Sequence, residues 1–354
     1  MLVLFALCSL TCYGSTVIPR AQKPKMIANR GATCFLNALL QALYCTSLPE
    51  DLQKCTPKTV DYLNRESPSG LVSSALNQFF IEYSKTKETK IPDIHIDNLM
   101  KVLREHGIIS EQSEYQDPVF IYTHLCPFLD PPCAKWFTYF HNYFDIVVEW
   151  HEAIVNGPKK LRVEFESVME QHVLFIDQPN VEKALKNEIF AIRNDPPPVA
   201  APWIIKAPHV LAISYGYNLN NPQAPSYDSY PFPFTINLNE YRHESYKDDL
   251  SYELVSICIF STYAGGHYAT LCTLNNKWFY CDDSPEAVEE ITSIENIAKN
   301  GYFEAHERKY FPKMLLYQRT GLRYWERIKT TSTSSLENEL NALVKQLNQL
   351  SILD

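Results

Sequence analysis

The spacing of apolar residues divides the chain into a helical first part and a β-rich second part. The clearest helical spacing is that of four leucines, Leu36, Leu39, Leu40 and Leu43, which predict a helix that buries one face and begins near Thr33. Apolar residues over 71–83 and 99–103 predict two more amphipathic helices. After residue 206, β-branched and aromatic runs separated by Gly and Asn turns predict strands. We therefore expect an α+β fold, with a helical lobe packed against a twisted antiparallel sheet.

The two ends of the chain differ in composition from the part between them. Residues 1–25 are predicted to form an apolar leader or flexible arm, and residues 321–354 a C-terminal tail with a short Leu-striped helix. The leucine stripe over 336–350 covers about two heptads, which is marginal for an isolated helix. It is expected to dock onto its own domain or, alternatively, to support weak self-association. One domain is expected over 26–320.

A candidate nucleophile, Cys34, lies where a turn runs into the predicted leucine helix. The first turn of a helix offers free backbone N–H groups and the positive end of the macrodipole, which favour a thiolate over a thiol. Gly31 permits a close approach of the backbone, and Asn29 lies shortly upstream with an amide that is a candidate donor to an oxyanion. Taken alone, Cys34 fits a buried structural cysteine as well.

A histidine and two adjacent aspartates far downstream supply the other chemistry that a thiol nucleophile needs. The strand-like runs on either side of Asn275-Asn276 predict a β-hairpin. A two-residue loop places Asp282 diagonally across from His267 on one face of the sheet. An odd loop length would shift the register and bring Asp283 to the histidine instead. We expect Asp282 to orient the imidazole in a nucleophile–base–orienter set.

Five segments of the chain, in this order, resemble motifs of the ubiquitin-specific protease family of papain-like cysteine deubiquitinases. They are a Cys box over 29–37 followed by Leu40-Gln41, a Gln-Asp motif at Gln116-Asp117, a strand motif over 234–241, a His box over 266–268 with Trp278 and Asp282-Asp283, and a closing core strand over 314–319. The resemblance implies a papain-like cysteine protease fold with a helical thumb-like lobe and an antiparallel β palm-like lobe. It also implies a fingers region that is reduced and lacks zinc.

The resemblance assigns roles to residues of this chain. Cys34 would attack the carbonyl carbon at the ubiquitin C-terminus, and His267 would act first as base and then as acid. Asp282 would hold the imidazole tautomer, and Asn29 would stabilise the tetrahedral oxyanion. The residues expected to bind the basic, extended tail of ubiquitin are Gln116, Asp117, Gly265, Gly266 and Tyr268.

Several positions depart from the family pattern. The residue three after Asp117 is Phe120 instead of a glutamate, Pro118 follows Asp117 directly, and a Leu-Lys-Arg-Phe segment is replaced over 213–218. These departures leave two alternatives open: a ubiquitin-binding pseudoprotease with weak or no turnover, and a thiol protease for a ubiquitin-like modifier. None of them removes the nucleophile, the base or the orienter.

Composition narrows the class of partner and the compartment. A net charge of −9 without long charged runs argues against a nucleic-acid surface and suits a basic protein partner. The resemblance implies that the partners are ubiquitin and ubiquitinated proteins, and we expect no nucleic acid and no membrane. The ten cysteines include no Cys-x-x-Cys pair, so we expect no metal and no other cofactor. Scattered cysteines favour the cytoplasm or the nucleus. The apolar residues 2–10 leave a secretory signal as the alternative.

Overall fold

The computed structural model of the protein describes residues 20–55, 67–110, 116–129, 146–151, 165–171, 173–186, 203–216, 229–242, 247–262, 266–283 and 288–321. The apolar segment 1–19 and the predicted Leu-striped helix over 336–350 lie outside the described residues. None of the described helices is long and apolar enough to cross a membrane.

Helices dominate the described chain before residue 130, as the sequence predicts. They are α1 (Cys34–Tyr44), α2 (Leu48–Cys55), α3 (Pro68–Lys85), α4 (Asp93–Glu105) and α5 (Pro118–Leu129). The two predicted amphipathic runs lie within α3 and α4, which pack against each other. α3 begins at a side-chain cap, since Ser67 Oγ accepts a hydrogen bond from the N–H of Gly70 and Pro68 occupies the first helical position.

The remainder of the described chain is mostly strand. The strands are β1 (Ile146–His151), β2 (Phe165–Gln171), β3 (Leu174–Ile176), β4 (Trp203–Lys206), β5 (Val210–Tyr215), β6 (Thr235–Asn237), β7 (Ser251–Ser261), β8 (His267–Leu274), β9 (Lys277–Cys281), β10 (Val288–Ile291), β11 (Phe303–Ala305) and β12 (Arg308–Arg319). Two short helices, α6 (Val181–Ala184) and α7 (Ile294–Asn300), and a 3₁₀ turn (Asn239–Tyr241) lie among them.

The large sheet is mixed, which corrects the prediction of an antiparallel sheet. Its main order is β10-β9-β8-β7-β12-β5-β3, with β11 paired to β12 and β6 paired to β7. β3 runs parallel to β5. The chain between these two strands passes through α6 and β4, which gives the long crossover that a parallel pair needs. Strands β2, β1 and β4 form a separate three-stranded sheet.

The large sheet separates two hydrophobic cores. In β12, Met314 and Leu316 belong to the core shared with the helical lobe, whereas Leu315 and Tyr317 belong to the core on the other face, which includes α7. Successive side chains of a strand point to opposite faces, so a strand covered on both faces is apolar throughout. This explains why the predicted closing strand over 314–319 shows no alternation of apolar and polar residues.

α1 is buried on every side, which differs from the predicted single buried face. It contacts β7 and β8 of the sheet as well as α2 and α5 of the helical lobe. Two hydroxyls on the sheet donate to its backbone: Ser256 Oγ to the carbonyl of Ala42 at 3.0 Å, and Thr270 Oγ1 to the carbonyl of Ala38 at 2.7 Å. Ser256 lies on β7 and Thr270 on β8, so the Thr270 bond fixes the helix that begins at Cys34 against the strand that begins at His267.

The described end of the predicted arm contacts the domain. Arg20 forms an ion pair with Glu50 at 3.2 Å. Ala21 is buried, and its N–H donates to the hydroxyl of Tyr44 at 2.8 Å. Residues 20–25 therefore pack along the helical lobe, while the rest of the predicted arm lies outside the described residues.

Candidate active site

Cys34 is the first residue of α1, and the turn before it determines its position. Gly31 and Ala32 have φ values of 85° and 49°, so the chain reverses through two left-handed residues. The side chain of Thr33 does not cap the helix, although the sequence predicts a cap there. Its Oγ1 instead accepts a hydrogen bond from the N–H of Arg30 at 2.8 Å and closes the turn. Cys34 is 3% exposed, which places the thiol at the sheltered N-terminus of a buried helix.

Two polar residues of the Cys box support the chain that leads to this turn. Asn37 Nδ2 donates to the carbonyl oxygens of Ile27 and Ala28, each at 3.2 Å. Gln41 Nε2 donates to the carbonyl of Lys25. One face of α1 thus holds the preceding segment alongside the helix, which explains polar side chains within a buried helix.

The hairpin of β8 and β9 has the register that the sequence predicts. Leu274 pairs with Lys277 across the turn. The two residues between them, Asn275 and Asn276, have φ values of 52° and 61°, which a two-residue hairpin turn of this kind requires. The predicted even loop is therefore confirmed, and Asp282 lies on the same side of the sheet as the first residue of β8.

His267 connects the two parts of the site. Its Nε2 lies 2.6 Å from Asp282 Oδ1 and 3.8 Å from Asp283 Oδ1. The imidazole also forms a hydrogen bond with the side chain of Cys34. Burial alone would lower the pKa of His267, but the hydrogen bonds to Asp282 and Cys34 and the negative charges of the two aspartates raise it to about 10. The environment therefore stabilises the protonated imidazolium, the form that His267 has once it holds the thiol proton.

The two adjacent aspartates have opposite electrostatic environments. Burial would raise the pKa of Asp282, but hydrogen bonds from His267, Tyr280 and the N–H of Asp283 lower it to about 2. Burial and the negative charge of Asp282 raise the pKa of Asp283 to about 6. Asp282 is thus a permanent negative charge beside the imidazole, whereas Asp283 titrates in the physiological range.

Asn29 spans the cleft between the turn and the hairpin. Its Oδ1 accepts from the N–H of Thr33 at 3.1 Å, and its Nδ2 donates to Asp283 Oδ2 at 2.7 Å. A carboxamide nitrogen carries two N–H bonds, so one of them remains for a substrate oxygen. The bond to Asp283 is not evident in the sequence, because the two residues are 254 positions apart.

The predicted Gln-Asp motif lies at the start of α5. Gln116 Oε1 accepts from the N–H of Ser110 at 3.1 Å. Asp117 Oδ1 accepts from the N–H of Val119 at 2.8 Å and caps the helix, while its Oδ2 forms an ion pair with Lys313 Nζ at 3.1 Å. Both residues of the motif therefore already have partners in this state of the protein.

The ion pair of Asp117 with Lys313 was not predicted from the sequence. The Lys313 side chain is 9% exposed and that of Asp117 is 33% exposed, so the pair lies at the edge of a buried region. Phe120, one of the departures from the family pattern, is 46% exposed on the same helix, where its ring packs on His124 at a centroid distance of 3.9 Å. The start of α5 thus has a carboxylate whose charge is paired with Lys313, and it also has an exposed aromatic ring.

The remaining predicted substrate-binding residues lie around the start of β8. Gly266 has a φ of 96°, a conformation that favours glycine, and Gly265 lies outside the described residues. Tyr268, which was expected to bind the tail, is buried and packs against Phe260 at a ring-centroid distance of 4.8 Å. Trp278, part of the His box, packs on the core of the opposite face.

The described part of the chain contains one group of side chains that could bind a metal ion. It consists of His267, Asp282 and Asp283, whose ligand atoms lie within 4.8 Å of one another. Two of these atoms already bind each other at 2.6 Å. A metal ion there would replace the hydrogen bond that orients the imidazole. The expectation that the enzyme uses no metal stays a prediction.

The family model described as ubiquitin carboxyl-terminal hydrolase matches residues 26–317, which is most of the chain. The chain belongs to this family. It is a cysteine-type deubiquitinating hydrolase, and the predictions of family, enzyme class and mixed α+β fold are confirmed.

Solved structures share the fold of this ubiquitin carboxyl-terminal hydrolase. The SAGA Ubp8/Sgf11/Sus1/Sgf73 DUB module aligns with a TM-score of 0.61 and 18% identity over 91% of this chain and 74% of that chain. The module bound to monoubiquitin aligns with a TM-score of 0.60 and 18% identity over 91% of this chain and 75% of that chain. The module bound to ubiquitin aldehyde aligns with a TM-score of 0.60 and 16% identity over 91% of this chain and 75% of that chain. A comparison with curated protein sequences found no match.

Proposed function

We propose that this hydrolase cleaves the isopeptide or peptide bond at the C-terminal glycine of ubiquitin, with Cys34 as the nucleophile. The observation that carries the proposal is the continuous line of hydrogen bonds from Cys34 through His267 to Asp282. A nucleophile, a base in hydrogen-bond contact with it and a third group that orients the base are the parts that thiol hydrolases need.

The catalytic steps follow from this geometry. His267 takes the thiol proton, and the thiolate of Cys34 attacks the carbonyl carbon to form a tetrahedral intermediate. The imidazolium then gives its proton to the leaving amine, the C–N bond breaks and a thioester remains. Water, deprotonated by His267, attacks the thioester, which releases the ubiquitin carboxylate and regenerates the thiol. Asp282 holds the tautomer and stabilises the imidazolium.

Asn29 is proposed to stabilise the oxyanion of the tetrahedral intermediate. Its Nδ2 is fixed by Asp283 at 2.7 Å and its Oδ1 by Thr33 at 3.1 Å, so the amide is oriented before substrate binds. The second N–H bond of the same nitrogen is the donor for the oxyanion. A donor that needs no reorientation during the reaction is most effective.

The C-terminal tail of ubiquitin is proposed to pass between the start of α5 and the start of β8. Gln116 and Asp117 line one side, and Gly265 and Gly266 let the narrow tail approach the backbone on the other. A basic tail must compete with Lys313 for the carboxylate of Asp117, which is already paired at 3.1 Å. This ion pair favours, as a second candidate substrate, a ubiquitin-like modifier with a less basic tail.

The Lys313→Met variant separates these two substrates. It frees the carboxylate of Asp117, so KM for a basic ubiquitin tail is expected to fall about fivefold, in line with a partly exposed charge pair. Lys309→Met, on the same strand, is the matched control and should leave KM unchanged. A modifier with a less basic tail that is cleaved faster by the wild type than ubiquitin, and gains nothing from Lys313→Met, would favour the second candidate.

We further propose that the enzyme works in the cytoplasm or the nucleus on ubiquitinated proteins. A structural relative is a SAGA DUB module bound to monoubiquitin, which supports ubiquitin as the partner. Within the described chain, Cys34, Cys45, Cys126, Cys258, Cys272 and Cys281 form no disulfide bonds, as is typical of reducing compartments. Self-association through 336–350 stays a prediction.

The proposed function is tested by the reaction of the purified protein with ubiquitin that carries a C-terminal electrophile. We expect a covalent adduct that is absent in Cys34→Ala and present in Cys126→Ala, which removes another buried thiol. Mass spectrometry of the adduct should locate the bond at Cys34. Binding of ubiquitin without an adduct would support the pseudoprotease, and neither binding nor adduct would contradict ubiquitin as the substrate.

A further inference from the structure

The carboxylate of Asp282 is held by a group that the catalytic scheme does not use. Its Oδ1 accepts from His267 Nε2 at 2.6 Å and from the N–H of Asp283 at 2.6 Å. Its Oδ2 accepts from the hydroxyl of Tyr280 at 2.7 Å. Both carboxylate oxygens are therefore fixed, and the Tyr280 bond is the contact in the described chain that holds the oxygen pointing away from the imidazole.

Tyr280 lies on the face of β9 from which its hydroxyl can reach the carboxylate of Asp282. It is two residues before Asp282 on β9, so both side chains point to the same face of the sheet. The Tyr280 ring is fully buried and packs against Phe303 at 5.1 Å and Tyr310 at 5.9 Å between ring centroids. A ring confined in this way presents its hydroxyl in one position.

A second tyrosine and an arginine continue the line of hydrogen bonds. The hydroxyl oxygens of Tyr280 and Tyr310 are 3.1 Å apart, and Arg308 forms a side-chain hydrogen bond with Tyr310. A hydroxyl has a single proton, and the carboxylate at 2.7 Å is the stronger acceptor for that of Tyr280. Tyr280 therefore donates to Asp282, Arg308 donates to Tyr310, and the two tyrosine hydroxyls lie within hydrogen-bond distance of each other.

We propose that Tyr280 is a positioning residue for the reaction, holding Asp282 in the orientation that aligns His267 with Cys34, and that Tyr310 and Arg308 support it. This inference rests on the proposed function of the same site. Burial and the charge of Asp282 raise the pKa of the Tyr280 hydroxyl, so it stays protonated and remains a donor throughout the working range. Arg308, which contacts Tyr310, adds a positive charge that interacts favourably with the charge of Asp282.

Tyr280→Phe tests the proposal, with Tyr317→Phe as the matched control. Tyr317 is an equally buried tyrosine on β12 whose hydroxyl donates to the carbonyl of Pro233 at 2.8 Å, in the same core and outside the site. We expect kcat on a fluorogenic ubiquitin C-terminal amide to fall about tenfold in Tyr280→Phe with KM unchanged, as for loss of one hydrogen bond to a charged group. Tyr317→Phe should keep the wild-type kcat.

A double-mutant cycle distinguishes positioning from simple destabilisation. If Tyr280 acts through Asp282, Tyr280→Phe should cause no further loss of kcat in an Asp282→Ala background. An equal loss in both backgrounds, or an unchanged kcat in the single variant, would overturn the proposal. Tyr310→Phe, expected to lower kcat about threefold, gives the same test if Tyr280→Phe does not fold.

A measurement without ubiquitin separates failure of this inference from failure of the proposed function. The rate at which a small chloroacetamide alkylates Cys34, followed by peptide mass spectrometry, depends on the pairing of Cys34 with His267 alone. We expect this rate to fall severalfold in Tyr280→Phe and to stay unchanged in Tyr317→Phe. If the wild type does not react with ubiquitin but the alkylation rates of the two variants differ in this way, the proposed substrate is contradicted and the role of Tyr280 is retained.

Discussion

The two halves of the active site are built by different means. The turn before Cys34 uses two left-handed residues, Gly31 and Ala32, and ion pairs from Arg30 to Asp93 and Asp97 on α4. These ion pairs are more than one-third exposed, so they contribute little to stability. The hairpin of β8 and β9 instead rests on regular strand pairing and on buried hydrogen bonds.

This difference indicates which half tolerates change. The hairpin residues are over-determined, because register, packing and three hydrogen bonds on Asp282 all specify one arrangement. The turn depends on backbone conformation and on Asn29, which reaches across to Asp283. The hairpin is thus held by more independent contacts than the turn, and the turn is the half more sensitive to the loss of a single contact.

The largest expected effect contrasts the two aspartates of the hairpin. Asp282→Ala should lower kcat on the order of 10³-fold, because the imidazole loses its orienting partner at 2.6 Å. Asp283→Ala should lower kcat only about tenfold, through the lost partner of Asn29. Steady-state kinetics on a ubiquitin C-terminal amide measure both. Equal losses would mean that Asp283 replaces Asp282 during the reaction.

Next in size is the contribution of the turn. Asn29→Ala should lower kcat on the order of 10²-fold with little change in KM, because an oxyanion donor acts mainly in the transition state. Single-turnover kinetics are the appropriate measurement. Asn37→Ala, which removes another carboxamide of the Cys box, serves as a comparison for loss of structure and should lower the melting temperature more than Asn29→Ala. A kcat effect of Asn29→Ala below threefold would remove Asn29 from the oxyanion role.

A pH profile should report the contact between the two halves. The pKa of Asp283 is raised to about 6, so its carboxylate gains a proton below that pH and no longer accepts a charge-assisted bond from Asn29. We expect kcat/KM to decline below pH 6 in the wild type and to lack this step in Asp283→Asn. An unchanged acid limb in the variant would assign the step to another group.

The titration of Asp283 also determines how the stability of the folded protein changes with pH. Because the folded state binds the Asp283 proton more tightly than the unfolded chain, ionisation above pH 6 costs stability. Asp283→Asn should therefore raise Tm relative to the wild type at pH 7, and this advantage should disappear below pH 4, where both states are protonated. Calorimetry at the two pH values measures the difference.

The smallest effect concerns the backbone of the turn. Ala32 has a φ of 49°, which costs an alanine about 1 kcal/mol relative to glycine. Ala32→Gly should raise the free energy of unfolding by up to about 1 kcal/mol and lower kcat a fewfold, as the turn gains freedom. Ala38→Gly, near the middle of α1, should have the opposite sign and lose about 1 kcal/mol or more. Loss of stability in Ala32→Gly would contradict the strain at this turn.

Local sequence patterns determined much of this protein. The leucine spacing specified α1, the apolar runs specified α3 and α4, and the pair Asn275-Asn276 specified the turn and the register of the hairpin. Each of these features depends on residues within a few positions of one another, so period and turn chemistry are sufficient to predict it. Asp282 could be preferred over Asp283 for the same reason.

Only the tertiary structure decided the contacts between distant segments. The burial of α1 on every side, the parallel pairing of β3 with β5, the bond of Asn29 to Asp283 and the ion pair of Asp117 with Lys313 all join residues far apart in the chain. Local periodicity carries no information about which face of one element meets another, because that choice depends on how the whole chain packs. The sequence could therefore name the nucleophile, the base and the orienter, while packing chose the groups that hold them.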